Sequence, residues 1–120
     1  MNPETKSQAI TIPSEDVIAL AVEHWRLSTW LTTAGGNVGI ARHAVRRMGD
    51  VLARWQVEAQ SLDDRQFDAG VAAKVVDTIE DPIAPAGTDT ISETVSPLVI
   101  WRGKVVRPAE IVVRRGTGRR

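Results

Sequence analysis

The chain has 120 residues, no net formal charge, 42% apolar and 25% charged residues, the make-up of one small folded domain. With no cysteine, disulfides and thiolate metal sites are excluded and a reducing, cytoplasmic setting is expected. The longest apolar run, Val17 to Val22, is far too short to span a bilayer. The first eight residues lack a basic region followed by an apolar run, so a soluble chain without a secretory signal or membrane contact is expected.

Residues 1–13 are polar with two prolines and are expected to form a flexible tail. Ser14 then offers a side-chain oxygen to cap a helix, and Glu15 and Asp16 suit the positive end of its dipole. Val17, Leu20, Leu27 and Leu31 give that helix its period, and the run Ala34-Gly35-Gly36 stops it. Asn37 can cap a second helix, in which Ala41, Val45, Met48, Leu52, Trp55, Ala59 and Leu62 are spaced alternately four and three apart. That spacing is the apolar seam of a heptad helix, with Arg42, Arg46, Arg47, Asp50 and Arg54 mostly outside it. A single helical hairpin buries little, so pairing with a second copy into a four-helix bundle is expected.

Beyond residue 63 the period changes from helical to alternating. The runs 74–80, 88–95, 97–101, 104–107 and 110–115 are rich in β-branched residues and separated by Pro and Gly. Residues 81–87 read as a loop, and Arg102-Gly103 as a tight hairpin turn with Gly103 at positive φ. Proline donates no hydrogen bond to a ladder, so Pro108 marks a corner between two strands and holds Arg107 extended. The fold class is α+β: a dimerising helical region over 14–63, a small antiparallel β-domain over 64–115, and a basic tail over 116–120.

Catalytic chemistry finds no foothold. His24 and His43 lie on separate helices without carboxylates at ligand spacing, and Asp63-Asp64 reads as a solvated pair in a linker. The glycines at 35–39 lack the lysine and the preceding strand of a phosphate loop. No enzyme activity, metal or cofactor is expected. The charge is polarised: residues 63–93 hold eight acids against Arg65 and Lys74, and residues 102–120 hold seven bases against Glu110. These poles either pair within the fold or present a basic surface to a partner.

The C-terminal third resembles GrpE-type nucleotide exchange factors. That family's β-domain ends in a glycine-basic turn, a short apolar strand, Arg-Pro-Ala and an alternating apolar strand, matched here by Gly103-Lys104, Val105-Val106, Arg107-Pro108-Ala109 and Ile111/Val113. Phe67-Asp68 matches the start of the family's Phe-Asp-Pro, with Ala69 in place of the proline. The resemblance covers about residues 38–115. Leu98-Val99 replaces the usual Gly-Tyr, the histidine that follows Phe-Asp is missing with Ala72 near its place, and the long N-terminal helix of the family is shortened to residues 14–33.

The resemblance implies a homodimer that binds the nucleotide-binding domain of a DnaK-type chaperone and promotes ADP release. Family contact positions fall on Val95, Lys104 and Val113, with Arg107 a further contact or a brace for the corner. A dimeric interaction module without exchange activity is one alternative. A nucleic-acid binder using the basic C-terminal end is the other, although a nucleic-acid partner is not expected.

Overall fold

The computed structural model describes residues 11–118, so the expected tail, for residues 1–10, and Arg119 and Arg120 of the basic end lie outside the described residues. Two helices lead into six strands. Helix α1 is Ser14–Thr33, α2 is Gly39–Arg54, and the strands are β1 Val57–Gln60, β2 Ala73–Asp81, β3 Asp89–Ser96, β4 Leu98–Trp101, β5 Lys104–Arg107 and β6 Ala109–Gly116. The α+β class is therefore as expected. None of the helices among the described residues is long and apolar enough to cross a membrane.

Helix α1 begins at Ser14, but the serine hydroxyl does not cap it. The carbonyl of Pro13 does so, accepting from the N–H groups of Asp16 and Val17 at 3.0 and 3.3 Å. Glu15 and Asp16 sit in the first turn, where the helix dipole favours them. Asn37 accepts from Gly39 N–H at 3.3 Å ahead of α2.

The expected seam over 41–62 is corrected, because α2 ends at Arg54. Gln56 takes φ 61°, a left-handed conformation that closes a helix. The carbonyls freed there are taken by the β region: Trp101 Nε1 donates to Trp55 O at 2.9 Å, and Arg102 N–H donates to Gln56 O at 2.8 Å. Val57, Glu58, Ala59 and Gln60 then pair antiparallel with Trp101, Ile100, Val99 and Leu98. Tertiary pairing overrides a heptad spacing here, since alternation at Val57 and Ala59 satisfies a strand equally well. Ala59 and Leu62 accordingly belong to the β half.

The strands form two three-stranded sheets, ordered β1-β4-β5 and β2-β6-β3. The first is antiparallel. The second is mixed, which corrects the all-antiparallel expectation: β2 runs parallel to β6, and β3 antiparallel to it. Pro108 is the corner expected of it, separating β5 in one sheet from β6 in the other. The segment 62–67 closes the outer edge of β3. Asp64 N–H and Phe67 N–H donate to Ile91 O and Asp89 O, and Ile91 N–H donates to Arg65 O. Asp63 is exposed, as expected of a polar linker residue, but its carboxylate also accepts from both the N–H and the hydroxyl of Thr94.

Two cores result. Val17, Ala21 and Val22 of α1 pack with Leu52 of α2, Val57 and Val99, joining the base of the hairpin to the first sheet. Leu62, Ile91, Leu98, Ala109, Ile111 and Val113 fill the second. The molecule measures 73 × 37 × 16 Å with a radius of gyration of 18.7 Å, against about 14 Å for a compact chain of this length. The hairpin thus projects from the β half as a layer one helix thick.

Candidate interaction surfaces

The best-defined candidate surface is the β4-β5 hairpin. Its two turn residues, Arg102 and Gly103, have φ 52° and 81°, and Trp101 lies opposite Lys104 across the turn. Positive φ at both positions is the geometry whose twist matches paired strands, and glycine reaches it without steric cost. The Arg102 guanidinium lies 5.9 Å from the centre of the Trp101 ring. That indole is fixed by its bond to Trp55 O, so the turn is tied to the end of α2. Lys104, Val105 and Val106 are exposed along β5.

Of the four residues expected to meet a partner, Val95 is 41% exposed and Lys104 is exposed, while Arg107 is half-buried opposite Val99. Val113 is a correction. It is 1% exposed within the second core and cannot reach a partner in this conformation. Strand β6 is last in sequence but central in its sheet, so Ile111 and Val113 point inward while Glu110 and Val112 are half-exposed.

The residues expected to pair two copies do not share one face. Val45 and Leu52 are buried, Leu52 in the first core, and Leu62 is buried in the second. Met48 and Trp55 keep more than a third of their surface exposed. His24 ties the helices together, its Nε2 lying 2.8 Å from Val45 O. Its ring also lies 3.3 Å from where a Cβ on Gly49 would be, so a glycine there lets the helices approach.

A different apolar face is left open. Leu20, Leu27 and Trp30 on α1 are exposed, Trp30 by 59%, as is Met48 on α2. At 100° per residue, with His24 and Val45 marking where the helices meet, Leu20 and Leu27 turn to the same side of the hairpin as Ala41 and Met48. The other side holds a cleft of about 330 Å³ lined by Ala21, Trp25, Gly49 and Val57 among others. Leu20 and Leu27 belong to the sequence period of α1. That they face outward follows only from which neighbours the helix packs against.

A third surface, unmarked by any sequence motif, is the loop between β2 and β3. Pro82, Ile83, Pro85 and Ala86 are exposed there, Ile83 by 93%. No group of three His, Cys, Asp or Glu among the described residues is placed to hold a metal ion. Neither a protein-family model nor a curated protein matches the chain.

Proposed function

We propose that the chain is a GrpE-type nucleotide exchange factor, which binds the nucleotide-binding domain of a DnaK-type chaperone and speeds ADP release. The observation that carries this reading is the β4-β5 hairpin. Within the segment on which the resemblance rests, Lys104 is exposed on a turn locked by Gly103 and Trp101. A cation held in this way suits an acidic partner surface. Exchange needs no covalent chemistry. A factor that binds the open, nucleotide-free form of its partner more tightly than the closed form shifts the population toward release, and tenfold acceleration requires only about 1.4 kcal/mol of differential binding.

Homodimerisation is part of the proposal, on revised grounds. The β half covers only the base of the hairpin, so the projecting layer of two helices needs a second layer to cover its apolar face. Leu20, Leu27, Trp30 and Met48 supply the apolar surface a second copy would cover.

The decisive experiment is release of a fluorescent ADP analogue from a DnaK-type chaperone with and without this chain. Acceleration that saturates with added chain supports exchange. Unchanged release, with the chain shown to be folded, refutes it. The burial of Val113 favours one competing reading, a dimeric interaction module that keeps the fold without exchange, because one expected contact is withdrawn. That reading is met if the chain binds the chaperone but leaves ADP release unchanged.

A further inference from the structure

Residues 82–86, Pro-Ile-Ala-Pro-Ala, are the most exposed apolar segment of the β half, and Ile83 at its tip is 93% exposed. An isoleucine so displayed gains nothing from the fold. A mobile loop would make this unremarkable, but this loop is braced along its length. The Asp81 carboxylate accepts from the N–H groups of Ile83 and Ala84, at 3.0 and 3.4 Å. The prolines at 82 and 85 have no N–H to satisfy, and their fixed φ lowers the entropy of the unbound loop.

The end of β6 completes the brace. Thr117 N–H donates to Asp81 O at 3.0 Å, Gly118 N–H to Ala84 O at 2.9 Å, and Gly116 N–H to Thr88 O at 2.8 Å. Gly116 is buried, and a Cβ there would lie 2.2 Å from Pro85 O. The C-terminal end of the chain is therefore built without a side chain at this position so that it can lie under the loop. A rigid, exposed aliphatic tip is how an interface anchor is made, since little ordering cost remains when it binds and loses its water.

We infer that Ile83 is a second contact of the β half with its partner, inserting into an apolar pocket on the chaperone's nucleotide-binding domain. This rests on the exchange-factor reading and adds a site to it. The tip is convex, so its occupant is concave. Five small residues bury far less than the roughly 1,200 Å² of a stable stand-alone interface, which makes the loop one contact of a larger surface and not a dimer interface by itself. Asp77 and Glu80, exposed on β2 leading to the loop, have no ion-pair partner among the described residues. The pocket that receives Ile83 is therefore expected to carry cationic groups at its rim.

The test is titration calorimetry of the full chain into the isolated nucleotide-binding domain of a DnaK-type chaperone, comparing wild type, Ile83→Ser and Lys104→Ala. Ile83→Ser should melt like wild type, because the side chain touches solvent only. It should bind about thirtyfold more weakly, the loss expected for an isoleucine that becomes fully buried. Wild-type affinity in Ile83→Ser, alongside weakened Lys104→Ala, overturns this inference and leaves the exchange-factor reading standing. No binding by the wild type overturns both. Two further results overturn the inference by giving the loop another occupant: dissociation of a dimer by Ile83→Ser in light scattering, or loss in that variant of wild-type binding to phosphatidylserine vesicles.

Discussion

Replacing Gly116 by alanine probes the brace under the 82–86 loop most directly. Its φ lies outside the left-handed region, so alanine there meets no backbone penalty and any cost is steric. The new Cβ would stand 2.2 Å from Pro85 O and 2.9 Å from Ala84 O, both backbone atoms that cannot swing aside. Relief requires the two segments to part by about 1 Å. A movement of that size stretches the bonds from Gly116, Thr117 and Gly118 past useful length. Two or three such bonds, at about 1 kcal/mol each, amount to a loss of about 2–3 kcal/mol. For a chain of this size that lowers the melting temperature by about 10 °C. Circular dichroism melts at one fixed protein concentration measure the shift, and hydrogen exchange at residues 116–118 locates it. Gly87→Ala is the control, since φ 84° with nothing within 4 Å leaves only the backbone term, about 1 kcal/mol. If Gly116→Ala melts within about 2 °C of wild type and its amides stay protected, the close approach is wrong.

Other perturbations separate the remaining assignments. Gly103→Val forces a β-branched residue to φ 81° and should cost at least about 1 kcal/mol; an unchanged melting temperature would remove the turn assignment. Lys104→Ala should leave stability unaltered and weaken chaperone binding about thirtyfold, with calorimetry as the readout and wild-type affinity as the contrary result. Met48→Asp should convert a dimer to a folded monomer in light scattering, whereas Leu52→Asp buries a charge in the first core and should unfold the chain; a wild-type mass of one chain at micromolar concentration refutes the dimer. The Ser96 hydroxyl is buried without a hydrogen-bond partner among the described residues, so Ser96→Ala should be neutral or stabilise by about 1 kcal/mol, and a clear loss of stability would show that the hydroxyl has a partner after all.

What the sequence made legible was local. Helix α1 runs from Ser14 to Thr33 as its period implies, because both ends carry chain breakers. The Arg102-Gly103 turn and the Pro108 corner follow from what glycine and proline allow at a single position. Illegible features depended on partners distant in sequence. The spacing from Ala41 to Leu62 satisfies a heptad throughout, yet Trp101 and Arg102, more than forty residues away, take the carbonyls at the end of α2 and start a strand instead. Val113 fits an outward-facing strand until β6 proves to lie between β2 and β3. Alternation marks two faces of a strand, but only the strand order says which of them is covered.

The charge poles show the same dependence. Acids in the middle and bases at the end of a chain look like a surface gradient, and on an extended strand they would be one. In the folded sheet, parallel pairing of β2 with β6 places Glu80 beside Arg115 and Lys74 beside Glu110, and antiparallel pairing brings Asp89 within 3.6 Å of the Arg115 guanidinium. Of these neighbours only Arg115 and Asp89 form an ion pair among the described residues; the others lie side by side across strands without one. Lys104 lies in the other sheet, on a turn away from these acids, and among the described residues it has no ion-pair partner. Such a cation can meet an acidic partner without first breaking an internal ion pair. Because the resemblance also places the family's cationic contact there, Lys104 is the residue at which the exchange-factor reading stands or falls.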